Sequence, residues 1–291
     1  MNIVQIQSGL GNQMFQYAFY LALKHHRPDT KIDASIFRHR PSHNGYELER
    51  VFAIQPEHAS AVERDQLADV SKDFRSTLRR ALGWKRPTTG QLIVEPDPAK
   101  GWCPEILHTE NSYLQGYWQS EKYFAEVKEQ VRQVFQFRLP LPSEDETLAQ
   151  AMKSANSVSI HVRRGDYMKK RRIDDYNVCS DGYYRRAITY IQQHVPDAIF
   201  YVFSDEPETL QKDLFPEGTV FVSGHKGDKA YIDMQLMSLC RHHIIANSSF
   251  SWWGAWLGQK EDTITTAPDI WFRHRPRPDI LPKEWIPIHV D

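Results

Sequence analysis

The spacing of apolar residues in the second half of the chain predicts helices that alternate with strands. Apolar residues recur at helical intervals from about Asp181 to His194 and from about Lys229 to Cys240. Short apolar runs rich in β-branched and aromatic residues flank these helices and predict strands at 158–162, 198–203 and 243–246. This alternation is typical of a parallel, doubly wound sheet, so the second half is predicted to be an α/β domain.

The first half opens with a similar unit. Residues 2–7 have the β-branched content of a strand, a glycine turn follows, and a helix with apolar residues four positions apart comes next. Gly9 and Gly11 let the backbone approach a ligand near the positive end of that helix. A dinucleotide-binding fingerprint would need a further glycine where Met14 stands, so this turn is not predicted to bind NAD.

A proline-rich segment separates the two halves. A helix is predicted from about Glu121 to Phe135, with Ser120 as its N-cap. Two prolines then stiffen the chain, and Ser143 with Glu146 forms a capping-box pattern for the next helix. We therefore predict an amino-terminal α/β domain at 1–142 and a carboxy-terminal α/β domain at 143–291.

The charge of the chain is nearly balanced, with 37 acidic and 36 basic residues among 291. This balance provides no broad basic surface, so we predict no nucleic-acid partner and expect any bound anion to be small. The three cysteines are scattered, which favours free thiols in a reducing compartment. No basic signal-peptide region and no apolar run of ~20 residues is present. We predict a cytoplasmic protein without a transmembrane segment, with peripheral attachment at the inner membrane left open.

Polar clusters follow three of the predicted strands. They are 161–166 (HVRRGD), 204–206 (SDE) and 247–251 (NSSFS). Ligands of open α/β sheets bind outside the carboxyl ends of the strands. Together with the glycine turn of the first half, the three clusters predict a composite ligand site between the two domains.

The paired arginines of the first cluster suit a diphosphate. Arg163 and Arg164 carry planar, permanently charged groups that donate two parallel hydrogen bonds to phosphate oxygens. Successive strand residues point to opposite faces, so we expect one guanidinium to face the phosphate and the other to brace the loop. The competing interpretation is an ordinary surface loop with ion pairs.

The other two clusters have the donors and acceptors of a nucleotide site. Asp205 can accept hydrogen bonds from a guanine edge, although it can equally be a helix cap. Ser248, Ser249 and Ser251 begin a predicted helix and can hold phosphate or ribose hydroxyls, or can simply cap the helix. His161 lies within a predicted strand, where a core histidine is the alternative to a binding residue.

Metal-ligand patterns are missing from the sequence. It contains no Asp-x-Asp, the usual means of holding a divalent ion against a sugar-nucleotide diphosphate, and no His-Glu-x-x-His. We therefore predict no metal and no other cofactor, and we expect arginine to compensate the charge of a departing diphosphate.

The order and the residues of five motifs resemble those of a known family, the bacterial α-1,2-fucosyltransferases of glycosyltransferase family 11. The motifs are SGLGNQMFQYA, HNGYELERVF, HVRRGDY, YVFSDE and DMQLMSLCRHHIIANSSFSWWGAWL. They run from the first strand to about Leu257. This sequence departs from the family pattern at Ser8, where glycine is usual, and at Glu206, where a second aspartate is common.

The resemblance implies a GT-B-like fold, in which two Rossmann-like domains face a cleft, and inverting, metal-independent transfer of L-fucose from GDP-fucose to the 2-hydroxyl of a terminal β-galactoside. It implies that Arg163 holds the β-phosphate and that His161 and Asp205 contact guanosine. The turn formed by Ser249, Phe250 and Ser251 would bind the diphosphate. Gly11 and Asn12 of the amino-terminal domain would close over it.

The general base and the acceptor are less well defined. Asp166, Glu47 and His43 are candidates for the base, and lactose-type disaccharides or an O-antigen unit are candidates for the acceptor. Two other functions remain open: a non-catalytic module that binds glycans or nucleotides, and a fucosyltransferase of different linkage.

Overall fold

The computed structural model of the chain describes residues 1–39, 43–71, 74–84, 86–165 and 173–291. The chain divides into two compact units, Met1–Arg138 and Leu139–Asp291. The division falls just before the two prolines of the predicted linker, at 138/139, whereas the sequence placed the boundary at 142/143.

The first unit is built on a parallel sheet of four strands in the order β2-β1-β4-β3. These strands are β1 (Asn2–Gln5), β2 (Lys31–Asp33), β3 (Gln91–Val94) and β4 (Ser112–Gln115). Its helices are α1 (Leu10–His26), α2 (Ile36–His39), α3 (Leu48–Val51), α4 (Ala61–Leu67), α5 (Phe74–Ala81) and α6 (Lys128–Val134). Helix α1 is buried along most of its length.

The second unit has a parallel sheet of six strands in the order β10-β9-β8-β5-β6-β7. The strands are β5 (Ser157–Val162), β6 (Ile199–Ser204), β7 (Val220–Val222), β8 (His242–Ile244), β9 (Thr265–Pro268) and β10 (Ile286–Ile288). The helices are α7 (Ser143–Ser154), α8 (Ile173–Tyr176), α9 (Asp181–His194), α10 (Tyr231–Met237) and α11 (Ser249–Gly258).

Strand β5 lies inside this sheet, with β8 on one side and β6 on the other. All six of its residues are buried, as expected for a parallel strand whose two faces are both covered. Helix α9 covers one face through Tyr183, Tyr184 and Ile191. The carboxyl end of β5 is therefore held on a rigid support.

Helix α11 is largely buried. Trp252, Trp253 and Trp256 are almost fully inaccessible and contact one another, with ring centroids 4.9–6.1 Å apart. These tryptophans belong to the core, and they anchor the helix whose amino terminus follows β8.

Three local expectations need correction. Helix α1 begins at Leu10, so Gly11 lies in its first turn and not in a loop before it. The helix expected from Glu121 to Phe135 is a 3-10 segment, Glu121–Val127, followed by α6. The capping box at Ser143 was wrong: Pro142 occupies the N-cap position, and no side chain caps α7.

The two parallel sheets with their helices confirm the α/β fold class. The fold is GT-B-like in that the chain contains two Rossmann-like units. None of the helices in the described part of the chain is long and apolar enough to cross a membrane.

Candidate active site

The three polar clusters of the second half follow three neighbouring strands. Parallel pairing aligns Val162 of β5 with Ser204 of β6 and Ile160 of β5 with Ile244 of β8. The residues after these strands therefore emerge at the same edge of the sheet. This edge brings together the arginine pair, Asp205 and the start of α11.

Asp205 organises the turn that carries the arginines. One carboxylate oxygen, Oδ2, lies 3.0 Å from Nη1 of Arg163, and the other, Oδ1, accepts the backbone N–H of Arg164 at 3.0 Å. Both the Arg163 and the Asp205 side chains are partly exposed, at 26% and 21%. A carboxylate has about four acceptor positions, so Asp205 keeps acceptor capacity for a ligand while it holds Arg163 in place.

Gly165 allows this close approach. A Cβ atom at residue 165 would lie 2.4 Å from Oδ2 of Asp205, which is well inside van der Waals contact. Any other residue would push the Asp205 carboxylate away from the turn. The glycine of the Arg-Arg-Gly motif thus allows the charged pair to keep this geometry without a shift of the Asp205 carboxylate.

Arg164 turns away from Arg163 and pairs with a different carboxylate. Its Nη2 donates to Oδ1 of Asp181 at 2.7 Å, in the first turn of α9. Asp181 is not among the site residues predicted from the sequence. Its position after the N-cap Ser180 marked it as the start of a helix, but the pairing depends on how α9 packs against β5.

His161 is buried below the arginine turn, with 5% of its surface exposed. The pKa of His161 is lowered to about 4, mainly because the ring is buried; the charge of Asp205 opposes this shift and that of Arg163 adds to it. The ring is therefore neutral at pH 7. Its centroid is 5.9 Å from that of Phe250, and its Nδ1 has no hydrogen-bond partner among the described residues. A buried ring nitrogen normally has a hydrogen-bond partner, and the described residues do not supply one here.

The start of α11 contributes backbone donors. Ser248 is the N-cap, and its hydroxyl accepts the N–H of Phe250 at 3.3 Å. The Ser251 hydroxyl is buried and donates to the carbonyls of Ala246 and Ser248. Both hydroxyls therefore serve the local fold, whereas Ser249 and Phe250 are partly exposed at the positive end of the helix.

Gly11 and Asn12 lie in the first turn of α1 in the first unit, and Asn12 forms part of a network of side-chain amides. The Asn12 amide donates to the hydroxyl of Ser8 at 3.0 Å and its oxygen accepts from Gln119 at 2.7 Å. Ser8 has a φ of 71°, a left-handed conformation that favours glycine. The departure from the family pattern at Ser8 thus falls on a strained backbone position.

The same network holds the segment that carries His43 and Glu47. The Gln13 amide donates to the carbonyls of Ser8 and Gly45, and its oxygen accepts the N–H of Glu47 at 2.9 Å. The Glu47 carboxylate is buried and accepts from Arg50 at 2.7 Å. His43 is exposed. Asp166, the third candidate base, lies outside the described residues.

A polar cavity of about 230 Å³ is also present in the first unit. Its polar lining includes Gln5, Asp33, Ser35, Arg64 and Tyr113. The Asp33 carboxylate accepts from the Tyr113 hydroxyl at 2.7 Å and from Arg64 at 3.2 Å. Fixed, well-paired polar groups of this kind can recognise the hydroxyls of one sugar ring.

No group of three or more His, Cys, Asp or Glu side chains in the described residues is arranged to hold a metal ion. The chemical groups at the carboxyl edge of the second sheet are instead a guanidinium, a carboxylate, a neutral imidazole and helix N–H groups. Such a set suits a nucleotide diphosphate.

Comparison with known proteins agrees with this chemistry. The family model of glycosyl transferase family 11 matches residues 103–289. An alpha-1,2-colitosyltransferase of Escherichia coli is 30% identical over 297 residues, covering 98% of both chains. The chain belongs to glycosyltransferase family 11 and is a glycosyltransferase.

Two further relatives are similar at lower identity. The O-antigen biosynthesis glycosyltransferase WbnK of Escherichia coli is 28% identical, covering 97% of this chain and 98% of that protein. A galactoside alpha-(1,2)-fucosyltransferase 1 of Leontocebus fuscicollis is 26% identical, covering 71% of this chain and 63% of that protein. The similarity to the first of these relatives extends over nearly the whole chain.

Proposed function

We propose that this protein transfers L-fucose from GDP-fucose to the 2-hydroxyl of a terminal β-galactoside, with inversion and without a metal. The observation that supports this most directly is the juxtaposition of Arg163, Asp205, His161 and the start of α11 at one sheet edge. A binding module for glycans alone would not need this charged, diphosphate-type edge. Membership of a glycosyltransferase family also favours catalysis over binding alone.

The leaving group determines the catalytic requirement. Cleavage of the sugar–phosphate bond places negative charge on GDP and positive character on the sugar carbon. Arg163 stabilises the departing β-phosphate, and the N–H groups at the start of α11 assist it. Asp205 fixes the guanidinium before the substrate arrives, so that little reorganisation is needed when the charge develops.

His161 and Asp205 contact the guanosine portion of the donor in this proposal. The free Nδ1 of His161 offers one hydrogen bond, and the remaining lone pairs of Asp205 accept others. Because burial keeps the His161 ring neutral, it can bind a nucleotide without adding a charge that titrates near pH 7.

The sugar of the donor is the point on which the named relatives differ. Colitose is fucose without its 3-hydroxyl, so one oxygen atom separates the two donors. A site that hydrogen-bonds a hydroxyl rejects the analogue without it by a factor of ~10⁴, whereas a site that does not bond it discriminates only weakly. We propose fucose, and the ratio of kcat/KM for GDP-fucose and GDP-colitose tests that choice.

The acceptor is proposed to be a terminal β-galactoside of the lactose or O-antigen type. The polar cavity of the first unit supports a sugar acceptor, since a fixed carboxylate, guanidinium and phenol surround a space of about 230 Å³. The name of the relative WbnK favours an O-antigen unit.

The general base is proposed to be His43 or Asp166. Glu47 is the weaker candidate because its carboxylate is buried and paired with Arg50, which leaves it poorly placed to receive a proton from an incoming sugar. Separate His43→Ala and Asp166→Asn variants, assayed for acceptor-dependent turnover, distinguish the two.

The decisive experiment follows GDP release from GDP-fucose in EDTA, with and without lactose or other β-galactosides, and identifies the product by NMR. The proposal expects acceptor-dependent release and fucose on O2 of galactose. Transfer to another hydroxyl would assign a different linkage. Tight GDP binding without any transfer would indicate a nucleotide-binding module, and dependence on a divalent ion would overturn the metal-free mechanism.

A further inference from the structure

Helix α5 of the first unit presents its apolar side to solvent. Phe74, Leu78 and Leu82 are spaced four residues apart and are 80%, 49% and 58% exposed. Side chains at this spacing share one face of a helix. Trp84, just beyond the helix, is 68% exposed. A soluble domain normally turns such a face inwards.

The polar side of the same helix faces the protein. Ser76 is buried, and Arg79 and Arg80 both pair with the carboxylate of Asp69. Arg80 also donates to the carbonyl of Ser71 at 2.6 Å. These ion pairs and the hydrogen bond to Ser71 therefore attach the polar side of α5 to its unit, so the opposite, apolar side points outwards.

The turn after α5 keeps the aromatic residue beside this face. Gly83 has a φ of 78°, and the N–H of Trp84 donates to the carbonyl of Arg79 at 3.1 Å, which closes the helix end. Trp84 is thus held against the end of the helix. We refer to Phe74, Leu78, Leu82 and Trp84 as the exposed α5 face.

Positive charge surrounds the exposed α5 face. Residues 74–86 contain five basic residues and no acidic residue. Among the described residues, Arg79 and Arg80 pair with the carboxylate of Asp69 and Arg86 with that of Asp65, which sets three guanidiniums against two carboxylates. Arg75 adds an exposed guanidinium. Apolar and aromatic side chains flanked by arginines match the interface of an anionic bilayer, where rings and chains enter the acyl boundary and guanidiniums meet the headgroups.

We propose that the exposed α5 face docks this protein onto an anionic lipid surface, with Phe74, Leu78, Leu82 and Trp84 inserted at the headgroup boundary. An interfacial helix lies in the membrane plane and does not span it, which is compatible with the short length of α5. The inference does not depend on the identity of the sugar donor or acceptor.

Vesicle sedimentation of the whole chain tests the proposal. Phosphatidylcholine vesicles with phosphatidylglycerol are expected to bind the protein, vesicles of phosphatidylcholine alone to bind it much less, and high salt to weaken the binding. The double variant Phe74→Ser/Leu78→Ser is expected to bind anionic vesicles at least roughly tenfold more weakly, because each lost side chain removes apolar area from the bilayer.

A matched double variant controls for general surface hydrophobicity. Leu139→Ser/Ile270→Ser changes side chains that are 47% and 38% exposed elsewhere on the chain, and it is expected to bind like the wild type. Thermal melting checks that both variants are folded. Quenching of tryptophan fluorescence by brominated lipid is expected in the wild type and reduced in Trp84→Phe.

Two results would overturn the proposal. One is equal binding of anionic vesicles by the wild type and the Phe74→Ser/Leu78→Ser variant, or no binding by either. The other is a dimer in light scattering that this variant converts to a monomer, which would assign the exposed α5 face to a second copy of the chain.

Discussion

The turn after β1 and the turn after β5 begin alike and are held by different chemistry. Each follows a buried parallel strand in the interior of its sheet. After β1, the neutral amide of Asn12 donates to the hydroxyl of Ser8, and that of Gln13 donates to the carbonyls of Ser8 and Gly45. After β5, two guanidiniums pair with Asp205 and Asp181.

The two turns therefore differ in whether the groups that hold them carry a net charge. Amides satisfy backbone groups in fixed directions but carry no net charge. The first turn is therefore held in one conformation without offering a charged group to a ligand. The ion pairs of the second turn are partly exposed, and a guanidinium with five donors can bind a phosphate while it keeps its carboxylate partner. Substitutions in the second turn should therefore affect turnover, and substitutions in the first should affect stability.

Replacing Arg163 is expected to have the largest effect. Arg163→Ala should lower kcat by roughly 10²–10³ because it removes the main group that stabilises departing GDP. The matched control is Arg241→Ala, which removes an exposed arginine paired with Asp262. Its activity should remain close to that of the wild type. Normal turnover by a folded Arg163→Ala protein would remove Arg163 from the mechanism.

Acid is expected to destabilise the second unit through its buried histidines. Burial lowers the pKa of His161 to about 4 and that of His243 to about 3, from an ordinary value of 6.5. The unfolded chain takes up protons below pH 6.5 that the folded chain does not, so stability should fall from about pH 6.5 towards pH 4 and below.

Thermal melting at several pH values measures this dependence. His243→Asn should give a shallower loss of stability between pH 6.5 and 4 than the wild type. An unchanged slope in His243→Asn would show that this ring is not kept neutral by burial.

Replacing Gln13 should lower stability by about 2 kcal/mol with a smaller effect on kcat. The Gln13→Ala variant leaves the N–H of Glu47 and two carbonyls without their partner in a buried region. Denaturant unfolding measures the change, with Gln150→Ala on the exposed side of α7 as the control. If GDP-fucose turnover falls under conditions in which the variant is still fully folded, the network has a role in the reaction.

The smallest expected effect concerns Ser8. A left-handed φ costs a non-glycine residue on the order of 1 kcal/mol, and Ser8→Gly removes this strain but also the hydroxyl that accepts from Asn12. Ser8→Ala removes only the hydroxyl. The free energy of unfolding of Ser8→Gly should be about 1 kcal/mol larger than that of Ser8→Ala. Equal values would show that the backbone at residue 8 is not strained.

Much of the second unit could be predicted because its periodicity is strong. The bounds predicted for α9 are the ones observed, and the three polar clusters lie on neighbouring strands as their positions after apolar runs indicated. Three-residue and four-residue strands such as β2 and β3 leave no period to detect. Strands β9 and β10 are not predicted from the sequence, because short apolar runs between polar segments do not identify a strand before its neighbours are known.

The details of the candidate site were less predictable because they depend on contacts between distant segments. The sequence offered two arginines but not their separate partners, since Asp205 follows β6 and Asp181 begins α9. The adjacency of Gly165 to the Asp205 carboxylate likewise exists only once β5 and β6 are paired. The roles of these residues in catalysis remain predictions until the variants are measured.

The interior position of β5 has a consequence for how the protein matures. Both of its neighbours, β6 and β8, come later in the chain, the second about eighty residues beyond it. Pairings of such long sequence separation form slowly. A nascent chain that ends before His242–Ile244 has the arginines but not the sheet that aligns them. Recovery of activity during refolding should therefore lag behind the formation of helices. The time at which activity returns would then indicate when the second sheet is complete.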